Sequence, residues 1–292
     1  NSTIDSKSND MAYLIYTSGT TSIPKGVGIT HFMVDFTTNN IIKILKYTNS
    51  DIDVLPLPLH HSFGLGCLHT SLCVGSTLIL LKNTNDLQNI LDTIKKFNAT
   101  TLAAIPSTLT KLLKFDKDDL KNYFSSIRLI ITNSTKIPIN TIQNFKTIIS
   151  NGNLATYYGL TEASRSTFMI FDKNSSYDES VGRPAPNVKI KIVNNDNEKS
   201  RNGEIWIKGD NVIKSYWENK LADENLDNGW LRTGDLGHID DGYLYLLGRT
   251  DDVINIGGEK VLPDEIEKIV KQIDGVDDVV AFGIDHEIFG QV

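Results

Sequence analysis

The sequence has 292 residues, 40% hydrophobic and 22% charged, enough for one large domain or two smaller ones with an ample core. A formal net charge of −7 argues against a nucleic-acid binder that relies on a basic surface, and no apolar run approaches the roughly 18 residues of a membrane span. No signal peptide is visible, and Cys67 and Cys73 share one apolar segment without metal-ligand spacing, so buried free thiols and a cytoplasmic, reducing setting are expected.

The run 11–16 reads as a buried strand that delivers the chain into Thr17-Ser18-Gly19-Thr20-Thr21-Ser22-Ile23-Pro24-Lys25-Gly26. Small residues there let backbone N–H groups converge on an anion, the hydroxyls add donors, and Lys25 supplies charge. The P-loop of NTPases needs Gly-Lys followed by Ser or Thr at a helix start. Here Gly26 and a β-branched run follow the lysine, so that reading fails on order and context. Such clusters between strands are also the ordinary composition of a plain loop.

Helical spacing over 31–47 is followed by an alternation. Strands are expected at 54–55, 76–81, 101–105, 127–132 and 154–158, and helices at 65–73, 87–97, 108–115 and 139–149. Strands alternating with helices indicate a parallel sheet covered on both faces. Near 180 the pattern changes to short strands, 188–193, 203–208 and 243–248, separated by polar turns, as in a small antiparallel sheet or barrel. A strand at 253–255, a Gly-Gly turn, a helix over 263–273 and a strand over 276–284 then suggest the start of a small α+β unit. Pro263 with Asp264, Glu265 and Glu267 marks that helix start.

Four further stretches carry chemistry. His60-His61-Ser62-Phe63-Gly64 follows a Pro-rich strand exit, where a histidine pair is either structural or functional. Tyr157-Tyr158-Gly159-Leu160-Thr161-Glu162 ends a strand, where open α/β sheets bind ligands, and offers an aromatic face, a hydroxyl and a carboxylate. Asp235, in Thr233-Gly234-Asp235-Leu236, is suited to accept two vicinal hydroxyls, and Arg249, in Gly248-Arg249-Thr250-Asp251, carries a fork of donors for ribose and phosphate.

The segment 16–26 resembles the phosphate-binding signature of the adenylate-forming enzymes: acyl-CoA synthetases, beetle luciferases and peptide-synthetase adenylation domains. The stretch 157–162 is similar to that family's second signature, and the motifs agree in order over nearly the whole chain. Two departures stand out: Ser22 where the family usually has Gly, and Asn133-Ser134-Thr135-Lys136 where it has a Gly-Gly-Ala-Pro-like turn against adenine.

The resemblance implies an α/β fold: the parallel-sheet part of the large AMP-binding domain over 1–178, a small antiparallel β subdomain over 179–250, and the start of a mobile α+β C-terminal domain over 251–292. It implies ATP, Mg²⁺ and a thiol, coenzyme A or phosphopantetheine, as cofactors. Thr17, Ser18, Gly19, Thr20, Thr21 and Lys25 would hold phosphates. Tyr158 and Gly159 would pack on adenine, with Asp235 and Arg249 on ribose and phosphate. Thr161 and Glu162 would serve catalysis and the metal. His61 would contact the reacting carboxylate, and Asp251 would be the hinge that brings the Lys260 loop to the nucleotide or thiol. The reaction implied is ATP-dependent activation of a carboxylic acid and its transfer to CoA or a carrier protein, with fatty or aryl acids favoured because no acid near His61 would hold an α-ammonium. Alternatives are an amino-acid-adenylating domain or a degenerate nucleotide-binding scaffold. A chain that starts at Asn1 and stops at Val292 reads as a piece of something longer, without a lysine that the family places near the end of its small domain, and the piece alone is expected not to adenylate.

Overall fold

The computed structural model describes residues 7–17, 24–173, 175–194, 202–218, 224–257, 259–276, 278–286 and 290–292. Strands β1 (Met11–Thr17) and β2 (Lys25–Thr30) pair antiparallel, and α1 (His31–Leu45) leaves β2 directly. The Thr30 hydroxyl caps that helix by accepting from the Met33 N–H at 3.2 Å. The chain then runs through β3 (Ile52–Leu55), α2 (Ser62–Val74), β4 (Thr77–Leu80), α3 (Leu87–Phe97), β5 (Thr101–Ala103) and α4 (Pro106–Leu112). It continues through α5 (Lys117–Tyr123), β6 (Leu129–Thr132), α6 (Ile139–Ile148), β7 (Asn153–Leu160), β8 (Ala163–Phe171) and β9 (Arg183–Pro184). These strands form a seven-stranded sheet in the order β4-β3-β5-β6-β7-β8-β9, parallel from β4 to β7 and antiparallel beyond.

Side-chain alternation along β6 shows why both faces are covered. Leu129 and Ile131 enter one core with Ile41 and Leu45 of α1 and Phe63 of α2; Ile130 enters another with Ile90, Ile94, Leu109 and Phe145 of α3, α4 and α6.

Beyond 185, β10 (Val188–Val193) and β11 (Asn202–Gly209) begin a second sheet, and β12 (Tyr216–Trp217) returns to pair with β2. The second sheet is completed by β13 (Leu226–Asp227), β14 (Trp230–Asp240) and β15 (Tyr243–Arg249), all antiparallel. Its Ile205, Ile207, Leu231 and Leu244 join the core on the α1–α2 side, which fixes it against the parallel sheet. A small sheet of β16 (Ile254–Ile256), β17 (Glu259–Val261), β18 (Asp285–His286) and β19 (Gly290–Gln291) accompanies α7 (Pro263–Val270). The α/β class and the antiparallel sheet after it are as the sequence implies.

Several expectations need correction. β8 follows β7 as a nine-residue antiparallel strand that the sequence hides, because Arg165 to Thr167 in its first half are polar yet buried. Its hydroxyls are bonded inward, Ser166 to the Ala163 carbonyl at 2.9 Å and Thr167 to that of Val181 at 2.5 Å. The helix α5 and the eleven-residue β14 were likewise not expected from the pattern. β1 forms but is an edge strand, with Met11 and Tyr16 exposed rather than buried. Cys73 is exposed, whereas burial pushes the Cys67 thiol up to about 12. No strand spans 276–284 among the described residues: Ile284 exchanges backbone bonds of 2.9 Å with Val292, while Val280 and Phe282 stay exposed without a ladder partner.

One ion pair ties the sheet at the end opposite the loops that matter for function. Arg128, just before β6, donates from Nε at 2.7 Å and Nη2 at 2.6 Å to Asp51, just before β3. The Thr48 N–H and the Thr100 hydroxyl add two bonds of 2.8 Å. Burial acts to raise the Asp51 pKa, but the bonds from Arg128, Thr48 and Thr100 outweigh it and hold the carboxyl below the usual range. The pair therefore stabilises the fold above the unfolded-state pKa of about 3.9, and that contribution is lost as the pH falls through the lower folded-state value. Asp51→Asn is expected to cost about 2–3 kcal/mol in urea unfolding at pH 7, less than a fully buried pair because Arg128 is partly exposed. The gap to the parent should close in acid; a gap independent of pH would show that the charge is not what stabilises.

Candidate active site

Four strands of the parallel sheet end on one rim. Leu57, Pro58 and His61 follow β3, Ile105 follows β5, Asn133 and Ser134 follow β6, and Gly159 to Glu162 lie at and just after the end of β7. With Thr17 and Lys25 from the β1–β2 pair, and with Tyr216 and Arg249, they line a cleft of about 780 Å³. An adjoining compartment of about 440 Å³ is bounded by the turn at 133–136, Tyr158, Asp235, Gly248 and Arg249. Asn133, Ser134, Gly159, Leu160 and Arg249 border both. Only glycine fits at 159, since a Cβ there would lie 2.6 Å from the Ala163 carbonyl oxygen and from the Arg165 nitrogen.

Polar groups in the smaller compartment are set against one another. The Tyr158 hydroxyl donates to Asp235 Oδ2 at 2.7 Å, and Arg249 Nη1 donates to Oδ1 at 2.8 Å. Burial, then the neighbouring Asp235 charge, raises the Tyr158 pKa well above its usual value, so this phenol remains a donor. Burial also raises the Asp235 pKa, opposed by the bond from Tyr158 and the charge of Arg249. Each Asp235 oxygen keeps a second lone pair, the capacity needed to accept from two adjacent hydroxyls. Arg249 Nε is buried without a partner among the described residues, a donor still to be used.

In the larger compartment the Tyr216 hydroxyl donates to Glu162 Oε1 at 2.9 Å, and the Lys25 ammonium lies 5.7 Å from the centroid of the Tyr216 ring. Among the described residues no cation pairs with Glu162, whose other oxygen is free for a hard cation. Nor do three or more His, Cys, Asp or Glu side chains gather to hold a metal by themselves. That donor set fits Mg²⁺ arriving with phosphates, since this ion uses one or two carboxylates plus substrate oxygens.

Of the residues singled out in the sequence, Thr17, Lys25, His61, Gly159, Thr161, Glu162 and Arg249 line the cleft, and Tyr158 and Asp235 the compartment beside it. Ser18, Gly19, Thr20 and Thr21, with Ser22, lie outside the described residues. Lys260 is exposed on β17 and borders neither compartment. His61 stands exposed at the mouth, its ring 4.3 Å from that of His60. Sequence reasoning missed Tyr216, which joins Lys25 to Glu162, and Thr233, whose hydroxyl donates to the Ile205 carbonyl at 2.7 Å and accepts from the Asp235 N–H at 3.0 Å. Tyr216 lies 54 residues from Glu162, with no local signal; its apolar neighbourhood in 212–217 was the only hint.

Over residues 2–217 the chain matches the family described as AMP-binding enzyme. It is 31% identical over 297 residues to the long-chain-fatty-acid–CoA ligase of Haemophilus influenzae, an alignment that covers 97% of this chain and 52% of that protein. It is 32% identical over 287 residues to the 2-succinylbenzoate–CoA ligase of Bacillus subtilis, covering 96% and 57%. The structure of o-succinylbenzoate coenzyme A synthetase (MenE) from Bacillus subtilis with ATP and magnesium ion superposes with a TM-score of 0.86 at 31% identity, covering 98% of this chain and 59% of that one. The chain thus spans a little over half the length of these relatives.

The turn at 133–136 holds Ser134 at φ 101°, a conformation that glycine takes freely and serine does not. Ser134→Gly removes that strain, partly offset by the greater freedom of glycine in the unfolded chain. A net gain of about 1 kcal/mol in denaturant midpoint measurements is expected; a loss would mean that the serine side chain contributes a bond worth more than the strain.

Proposed function

The chain belongs to the AMP-binding enzyme family, and on that premise we propose that the full-length protein activates a carboxylic acid with ATP and passes the acyl group to a thiol. The acceptor is coenzyme A or the phosphopantetheine of a carrier protein. The observation that carries this reading is the meeting of Lys25, Thr161, Glu162 and Arg249 in one cleft, with the Tyr158–Asp235–Arg249 set beside it.

A carboxylate carbon resists nucleophiles, so its oxygen first attacks the α-phosphorus: an O–P bond forms and the bond to the pyrophosphate oxygen breaks. The thiol sulfur then attacks the acyl carbon, and AMP leaves with the electrons of the C–O bond. In the first step this chain contributes positioning and charge. Tyr158 and Asp235 hold the nucleoside, Arg249 reaches from ribose toward phosphate, and Lys25 neutralises charge on the polyphosphate. Glu162 and the Thr161 hydroxyl would hold magnesium, which would supply charge to offset the phosphates. Tyr216 keeps Glu162 turned toward that place. His61, at the mouth, faces the entering carboxylate. Lys260 belongs, in this reading, to the second half-reaction, after the unit 251–292 has swung; the divisions at 178 and 250 are part of the same proposal.

Among the described residues that line the larger compartment, Glu162 is the one carboxylate; Tyr216 engages one oxygen, and a magnesium ion would take the other. An α-ammonium finds no partner there, which favours acids without one. The strained turn at Ser134 is the feature that favours a second reading, a nucleotide-binding domain without turnover.

Pyrophosphate release by the full-length protein across a panel of acids, together with ATP binding, separates the two. Glu162→Gln is expected to lower acid-dependent turnover about 100-fold and to raise the magnesium needed for half-maximal rate, with nucleotide binding retained. An unaltered magnesium dependence would remove Glu162 from the metal.

A further inference from the structure

One buried charge beside the cleft is not used by the chemistry above. Arg165 of β8 is 5% exposed, and among the described residues no carboxylate pairs with it. Its partners are neutral. Nη1 donates to the Ser164 hydroxyl at 2.7 Å, and Nη2 donates to the carbonyls of Ser62 and Phe63 at 3.2 Å each. The guanidinium carbon lies 4.8 Å from the Tyr157 ring centroid. Among the described residues these three bonds leave Nε–H and the second Nη1–H uncommitted. Asp53, a carboxylate buried in the same core, takes its bonds from Ser71, Ser76 and Thr101 instead.

A guanidinium stays protonated in any environment, and burying it without a counter-charge is costly. Two features nevertheless make room for it. The backbone at Arg165 is left-handed, φ 56°, an unfavourable state for a long side chain. Gly66 of α2 leaves its side-chain space empty, and a Cβ there would run into the guanidinium.

The guanidinium borders a cavity of about 20 Å³ together with Ser62, His69 and Thr161. Ser62, Thr161 and Ile15 also line the cleft, so the two spaces share a wall. The groups facing Arg165 around that cavity are uncharged. Burial, and then the charge of Arg165, lowers the His69 pKa, and burial raises that of Tyr13. About 20 Å³ accepts one small polar group and no alkyl tail. The cavity on the other side of Arg165, about 10 Å³ among Leu45, Cys67 and Phe168, is no larger.

We propose that Arg165 receives a second carboxylate, carried by the same acid whose first carboxylate is activated in the cleft, so that the substrate is a dicarboxylic acid. The inference rests on the acid-activating reading above and narrows it. The end of an unbranched fatty chain would lie against a desolvated cation, and an ammonium would be repelled. A carboxylate supplies the missing counter-charge and accepts from the unused N–H groups, with His69 as a neutral neighbour able to donate one more bond.

The test is acid-dependent ATP–pyrophosphate exchange by the full-length protein, with a series of dicarboxylic acids and the monomethyl ester of each. Length and the reacting carboxylate are then held constant while the second charge is removed. A dicarboxylic acid is expected to exceed its ester about 100-fold in kcat/KM, the scale on which a site built for a charged partner rejects an analogue without it. Arg165→Met should remove that preference while leaving ATP binding unchanged, and Arg165→Lys should restore part of it. The ratio measured in the parent decides the matter even if the Met variant does not fold. Equal rates for diacid and ester, or an unchanged ratio in folded Arg165→Met, would overturn this proposal alone. Absence of ATP binding by the parent would overturn the acid-activating reading and this proposal with it.

Discussion

Parallel strands cannot be joined by tight turns, so every crossover carries the chain back and leaves the carboxyl ends of all strands at one edge. The rest of this molecule depends on that constraint. β3, β5, β6 and β7 are separated by helices that fill both faces, and their exits deliver Leu57 to His61, Ile105, Asn133 and Ser134, and Gly159 to Glu162 to a common rim. The opposite edge is held by Asp51 and Arg128, which join the entries of β3 and β6 where no ligand is needed. Fixing one edge with a half-buried ion pair leaves the other free to carry groups chosen for chemistry rather than for stability.

The polar groups at the rim are held by other groups at the rim. Asp235 stands on β14, Arg249 on β15 directly across the ladder from it, and Tyr158 on β7. The carboxylate is therefore fixed where the parallel and antiparallel sheets meet, by donors from both. Glu162 and Lys25 are related through Tyr216, which β12 brings back beside β2. Donors and charges held in this way need little rearrangement when a charged ligand arrives, which is the condition for strong electrostatic stabilisation.

What the sequence shows of this arrangement depends on whether the cause is local. Helix periodicity and the Pro263 start are written within a few residues, and the elements built on them appear close to the expected places. The strand-end motifs are local too, and 157–162 marks its own position. β8 is not local: Ser164, Arg165, Ser166 and Thr167 look like a loop until a sheet supplies both faces and partners for their hydroxyls. Tyr216 is invisible for the same reason, since its role comes from pairing with a strand almost 190 residues earlier. The expected strand at 276–284 fails in the opposite direction, because an alternating pattern gives a strand only where a neighbour offers a ladder.

Left-handed backbone separates the ordinary turns from the unusual ones. Lys46 and Asn98 end α1 and α3, where that conformation is a common helix terminator, and Asn187, Asn228 and Asp241 belong to the residue types that tolerate it best. Ser134, Arg165 and Glu218 have neither excuse: the first borders both compartments of the cleft, the second a cavity that shares the cleft's wall, and Glu218, just after β12, borders none of these spaces. Strain of this kind persists where surrounding structure over-determines it, and it concentrates at ligand sites. Ser134 and Arg165 sit on the two sides of the proposed reaction, Ser134 in the turn beside the nucleoside set and Arg165 behind Ser62 and Thr161 on the acid side. Two of these three departures from relaxed geometry thus lie where a particular ligand, rather than the general chemistry, would have to be recognised.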